Sequence, residues 1–242
     1  LRLSIPIYLV FFFSNIFTIS DPMYPDDPVN NIICSCSYVN MRINIYYKFL
    51  MKKSIYYWAP CLDRVGTEKS AKNSAIAVAK YSKEYDVSVI NVFGEWNNFK
   101  EIFEKNGVKF INLGINLYNV LPKKGFVFSR ISYLIIIFLS FIPLIILLKK
   151  NKPDFLIVHL ITSLPIFLFK ILNFRTKLIL RISGYPKLNF FRKFLWKISS
   201  NTIHFVTCPS KELLEKLKKK NIFSNNKVFF LQDAILNIEE FI

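Results

Sequence analysis

The sequence holds 242 residues, with 33 Lys and Arg against 16 Asp and Glu for a formal charge of +17. At 52% hydrophobic and 17% aromatic it can bury a sizeable core, which excludes a disordered chain. Its four Cys (34, 36, 61 and 208) and two His form no disulfide framework and no metal-ligand spacing, so neither a secreted scaffold nor a zinc site is expected.

The length suits one large domain or two small ones. A basic surface attracts nucleic acid, anionic lipid or a phosphorylated substrate. The cations here are spread along predicted helix faces or gathered at element ends, as in Lys149, Lys150 and Lys152, or Lys216 to Lys220. No nucleic-acid recognition motif accompanies them, so nucleic acid is not an expected partner.

Residues 1–50 differ from the rest. They carry three cations (Arg2, Arg42, Lys48) and three acids (Asp21, Asp26, Asp27), which leaves the whole excess charge in 51–242. A basic residue followed by an apolar run, Leu1 to Phe13, resembles a signal peptide, yet no small-residue cleavage site follows. The expectation is an extension, disordered or not native, before a protein that starts at Met51. A genuine signal or anchor is the alternative.

From Met51 onward strands and helices alternate. Ser54–Trp58 reads as a buried aromatic strand, and a loop through Gly66 leads to Thr67 as N-cap of a helix reaching about Glu84. On that helix Lys69, Lys72, Lys80 and Lys83 share one face, and Ala71, Ala75 and Val78 the other. Val87–Val92 is the second strand. Trp96–Asn106 is a helix closed by Gly107, and Lys109–Asn112 is the third strand.

Ile131 to Leu148 holds eighteen residues without a charge, at the lower edge of a membrane span. Either it crosses a bilayer, or it is a sheet-packed helix stopped by Pro153 with cations at its negative end. The sequel favours the second: Pro153 to His159 reads as a strand directly after a helix, the way α/β chains continue. Then come a helix over Ser163–Leu172 with Pro165 in its first turn, a strand over Lys177–Arg181, and a helix over Phe190–Ser199. A strand over His204–Thr207, a helix from Ser210 to Lys219 and a strand over Lys227–Leu231 complete the pattern. Seven strands with intervening helices predict an α/β fold, a doubly wound parallel sheet.

Ligands of such sheets sit beyond the carboxyl ends of the strands, at the switch point between the first and fourth. Gly66 and Thr67 lie in a loop entering a helix N-terminus, a place for phosphate, although no G-x-G-x-x-G or P-loop motif is present. His159 ends the fourth strand, as a satisfied core histidine or as a hydrogen-bond partner for a sugar. Arg181 ends the fifth, followed by Ser183 and Gly184, either to hold a phosphate or to pair with a carboxylate.

The ordered set Asp63-Arg-Val-Gly66-Thr67-Glu68-Lys69, Lys152-Pro-Asp-Phe-Leu-Ile-Val-His159, Arg181-Ile-Ser-Gly184-Tyr-Pro and Thr207-Cys-Pro-Ser210-Lys-Glu resembles the N-terminal half of family-4-type GT-B glycosyltransferases. The resemblance covers about residues 54–235. It implies a Rossmann-like acceptor-binding domain over 51–235, with 236–242 opening a linker to a second, donor-binding domain. That second domain carries two glutamates separated by seven residues, a spacing this chain lacks. The parent enzyme would move a hexose from a nucleotide sugar to a lipopolysaccharide, O-antigen or other cell-surface glycan with retention, and this chain alone would be inactive. Gly66 and Thr67 would approach the donor phosphates, and His159 the transferred sugar. Arg181, Ser183 and Gly184 would shape the acceptor side. No cofactor or metal is expected, and the catalytic residues are not identified. The expected partners are a nucleotide sugar and a glycan or lipid-linked acceptor, in the cytoplasm or peripherally at an anionic inner membrane. The competing reading is an integral membrane anchor or transport component with spans at 5–19 and 131–148.

Overall fold

In the computed structural model the described residues are 52–63, 66–123, 125–186 and 189–234. The extension proposed for 1–50, the possible span at 5–19, Cys34, Cys36 and the linker at 236–242 lie outside them.

Seven strands form one sheet: β1 (Lys53–Trp58), β2 (Tyr85–Asn91), β3 (Lys109–Asn112), β4 (Phe155–Val158), β5 (Lys177–Arg181), β6 (Ile203–Cys208) and β7 (Val228–Phe230). Every pairing is parallel, in the order β3-β2-β1-β4-β5-β6-β7. The order reverses between β1 and β4, so the doubly wound Rossmann-like architecture is the one the alternating pattern predicts. The reason is visible in the strands: both faces are covered, so Phe155–Val158 is buried at every position.

Successive side chains alternate between two cores. Ile55, Tyr57, Val87, Val89, Phe155 and Ile157 face one side, where they meet helix α1 (Gly66–Tyr81) and the short α2 (Lys100–Lys105). Trp58, Ile90, Leu156, Val158, Leu178 and Leu180 face the other. There they pack on α3 (Phe126–Asn151), α4 (Ser163–Ile171), α5 (Phe190–Ile198) and α6 (Lys211–Lys219). A register shift between Leu178 and Ile179 inserts His204 into β6 as a bulge opposite β5.

Several boundaries move. The first helix already starts at Gly66, so Thr67 lies inside its first turn and is not its N-cap, and the helix ends at Tyr81 short of Glu84. The helix expected over Trp96–Asn106 is a 3-10 turn, Asn97–Phe99, followed by α2. Asn91 and Glu95 explain that break: their side chains accept from the backbone N–H groups of Trp96, Val92 and Phe93, and so fold the segment after β2 into a loop. Gly107 does follow α2 with φ +74, the left-handed residue expected after a helix end. Ser210 caps α6 by accepting from Leu213 N–H at 3.1 Å, and Asn189 caps α5 by accepting from Arg192 N–H at 2.9 Å.

The ambiguous apolar segment is a 26-residue helix, α3, longer than Ile131–Leu148 at both ends. By length and composition it could cross a membrane. Its two flanking strands, however, belong to the one sheet, and a stripe at four-residue spacing (Ser132, Ile136, Ser140, Leu144, Leu148) is buried. That stripe packs as a sheet-covering helix does.

Candidate functional site

Parallel topology brings the carboxyl ends of β1, β4, β5 and β6 to one edge, and the residues just inside that edge form a buried polar cluster. His159 follows β4 directly. Its backbone N–H donates to the Trp58 carbonyl at 2.9 Å, which continues the ladder one residue past the strand. Its ring stacks on Tyr57 with centroids 6.0 Å apart. Neither ring nitrogen has a hydrogen-bond partner among the described residues. Burial first, and then the charge of Arg181, hold the imidazole down to about 3, with the Asp233 carboxylate opposing. The ring is therefore neutral at pH 7, with one N–H donor and one acceptor to offer.

Arg181, the last residue of β5, is 4% exposed and donates from Nη2 to Asp233 Oδ1 at 2.6 Å. The same carboxylate oxygen accepts from Ser70 Oγ at 2.6 Å. Asp233 thus ties three elements together: the start of α1, the end of β5 and the segment after β7. The second amino group of the guanidinium, Nη1, and the hydroxyl of Thr207 are buried without a partner among the described residues. Thr207 sits beside Arg181 in the sheet register. Tyr57 Oη and Ser74 Oγ share a hydrogen bond of 3.0 Å, and burial pushes the phenol well above its ordinary value.

These groups surround a cavity of about 20 Å³ lined by Ser70, Ser74, His159, Arg181, Thr207 and the Leu231–Ala234 segment. That is room for about one water molecule. Unpartnered polar atoms in such a space are costly unless something polar sits among them. A ligand of hexose size does not fit this space, of which the Leu231–Ala234 strap forms one wall. Chemically the cluster offers a guanidinium, a neutral imidazole and hydroxyls, a set suited to recognising anions and hydroxyl-rich molecules.

The structure brings His159 and Arg181 into one cluster, and α1 enters it through Ser70 and Ser74. Gly66 lies one helical turn before Ser70, exposed, with nothing within 4 Å of where a Cβ would stand. Thr67 beside it is half-buried. Ser183 and Gly184 lie in the loop after β5 and do not line the cavity. Among the described residues Ser183 Oγ is buried without a partner, and Gly184 is exposed with nothing within 4 Å of where a Cβ would stand.

Three groups escaped the sequence reading. Asp233 follows β7 at a strand carboxyl end, so the rule that singled out His159 and Arg181 applies to it equally. Ser70 and Ser74 carried no signal beyond their place on α1. Glu95, in the loop after β2, is buried, and burial lifts its carboxyl to about 7 against the lowering effect of the backbone N–H groups of Phe93 and Val92. Gly94 beside it is held at φ +100, with Asn116 Oδ1 2.7 Å from where a Cβ would stand, so this turn accepts only glycine. Near it the Cys61 thiol is raised by burial and then by the charges of Glu68 and Glu95, which leaves it protonated.

No protein-family model matches the sequence, and no curated protein does. Solved structures do match. The UDP-GlcNAc 2-epimerase of Neisseria meningitidis, solved bound to UDP-GlcNAc, aligns at 13% identity and TM-score 0.50 over 76% of this chain and 47% of its own. UGT73P12 of Glycyrrhiza uralensis, complexed with glycyrrhetinic acid 3-O-monoglucuronide, aligns at 12% identity and TM-score 0.53 over 76% and 49%. A putative UDP-N-acetylglucosamine 2-epimerase of Listeria monocytogenes aligns at 13% identity and TM-score 0.51 over 74% and 45%. What is shared is the fold, a Rossmann-like α/β sheet of GT-B-like type. This chain spans about half the length of the structures it matches.

Proposed function

We propose that this chain is the acceptor-binding half of a GT-B glycosyltransferase. The whole enzyme would transfer a hexose, with retention, from a nucleotide sugar to a glycan or lipid-linked acceptor of the cell surface. The observation that carries the reading is the buried cluster of His159, Arg181 and Thr207 at the switch point, in a sheet of GT-B-like fold whose solved relatives include a UDP-GlcNAc-bound epimerase. In this reading the open N-terminal turn of α1 at Gly66 and Thr67 faces the donor phosphates. Arg181 and His159 meet hydroxyls once the Leu231–Ala234 strap lifts, and Ser183 and Gly184 border the acceptor path. His159 then serves as a hydrogen-bond partner, because a ring held near 3 carries no proton to donate as an acid at neutral pH.

The test is NMR titration of the isotope-labelled chain with UDP, UDP- and GDP-sugars and short oligosaccharides. Shifts at Ser70, His159, Arg181, Ser183, Gly184 and the Leu231–Ala234 strap are expected for sugar ligands, joined by Gly66 and Thr67 for nucleotide sugars. A chain that responds to none of them would defeat the reading. Turnover of a nucleotide sugar by the purified chain would show instead that it is more than an acceptor half.

A further inference from the structure

The helix layer opposite α1 is too apolar on its outside. On α3, Phe128, Leu134, Phe138, Ile142 and Ile146 face outward, with Phe138 76% exposed. On α5 the outward stripe is Phe190, Phe194 and Ile198 at four-residue spacing, joined by Phe191. Phe190 is 78%, Phe191 79% and Phe194 55% exposed. Phe190 joins the other two rings, its centroid 5.9 Å from that of Phe191 and 6.2 Å from that of Phe194. Folding does not account for this surface, because the buried sides of the same helices, Ile136, Leu144 and Leu148 on α3 and Trp196 on α5, already enter one core.

Both helices begin at the carboxyl edge of the sheet and run back along it, so their apolar faces lie on one side of the molecule. The helix between them, α4, packs against both, and its own Phe167 and Ile171 are exposed, which continues the apolar surface from α3 to α5. Lys193 and Lys197 form an exposed row beside the aromatic stripe, and Lys149, Lys150 and Lys152 stand exposed at the far end of α3. Between Glu104 and Glu212 the only acid is Asp154. Asp154 accepts from the backbone N–H and hydroxyl of Ser54 at the opposite edge of the sheet.

We propose that the outward faces of α3 and α5 form one docking surface that lays the protein in the plane of an anionic bilayer, with the rings of Phe190, Phe191 and Phe194 entering the interface. Apolar side chains rimmed by cations, with Asp154 the one acid in the stretch between Glu104 and Glu212, are the composition that anionic interfaces select. A protein partner of matching shape would have to bring a large apolar patch of its own, whereas a bilayer provides one everywhere. The helix lies flat and does not span, because its other stripe is fixed to the sheet. This inference is independent of the sugar-transfer reading. It does bring the carboxyl edge, where the polar cluster sits, toward the lipid surface.

The experiment is flotation of the full chain with vesicles of phosphatidylcholine alone or with about one third phosphatidylglycerol. Binding is expected on the anionic vesicles and not on the neutral ones. Phe190→Ser/Phe191→Ser/Phe194→Ser should weaken it at least tenfold, and Lys193→Gln/Lys197→Gln by about fivefold per charge removed. Both sets lie on the surface, and unchanged circular dichroism and melting would confirm that they fold. A Phe191→Trp variant should shift its emission to the blue on anionic vesicles only. Four results would overturn the proposal: undiminished binding by the triple variant, retention in membranes after carbonate extraction, binding that vanishes when residues 1–51 are deleted, or a dimer that the triple variant splits without any change in lipid binding.

Discussion

Two regions of this protein invert the usual distribution of polar and apolar groups, in opposite directions. At the switch point, between α1 and the sheet, a guanidinium, an imidazole and several hydroxyls are buried, with the partly exposed Asp233 carboxylate holding the guanidinium. Across the sheet, α3 and α5 turn large apolar side chains outward. Buried polar groups and exposed apolar patches are the informative departures, since scattered exposed apolar residues are normal. The inner region is bound into the fold: Asp233 alone holds Ser70 and Arg181, so altering it disturbs three elements. The outer region is exposed among the described residues, so altering it should leave stability nearly unchanged. A polar group inside and an apolar group outside thus make different demands. The first must be satisfied for the chain to fold, and the second asks for a surface beyond the chain.

The sharpest way to break this contrast is acid. Because the folded state holds His159 near 3, below its ordinary 6.5, its neutral form supports folding above pH 6.5. That support is lost as pH falls toward 3, by as much as about 4–5 kcal/mol. Urea melts at pH 7 and pH 4 should show it, and His159→Gln should flatten the acid limb. Next, Asp233→Ala leaves the Arg181 charge buried and unpaired, at a cost of roughly 3–5 kcal/mol. Asp233→Asn, which keeps an acceptor for Ser70 and Arg181, should cost less in the same denaturation assay.

Glu95 acts with the opposite sign. Its folded carboxyl is raised to about 7 from 4.5, so the stability it permits is complete below pH 4.5 and is lost as pH rises through 7. The loss amounts to about 3 kcal/mol. Glu95→Gln should remove this alkaline decline, and an unchanged slope between pH 5 and pH 8 would show that Glu95 is already ionised in the fold. The smallest effect belongs to the outer region. Phe138→Ser or Ile142→Ser should move the unfolding free energy by no more than about 0.5 kcal/mol. A larger loss in either would mean that the outward face of α3 is covered in the folded protein.

Much of this was legible in the residues themselves. Alternation of β-branched strands with amphipathic helices placed all seven strands, because a strand buried on both faces and a helix buried on one leave different periods in the sequence. Strand-end positions alone marked His159 and Arg181. The break between Asn97 and Lys100 was not legible, since it depends on Asn91 and Glu95 side chains folding back onto nearby backbone N–H groups. Nor was Thr67's place within the first turn of α1, which depends on where the helix begins and not on its capping propensity.

Local chemistry determined the elements and their order, and with them the parallel sheet and its switch point. Tertiary structure alone decided what meets what: Asp233 on Arg181 across 52 residues, and Ser70 on Asp233 across 163. It also decided which stripe of the uniformly apolar α3 turned inward. A helix that is hydrophobic all round has no period to say which side is in; only the sheet it lies on makes that choice.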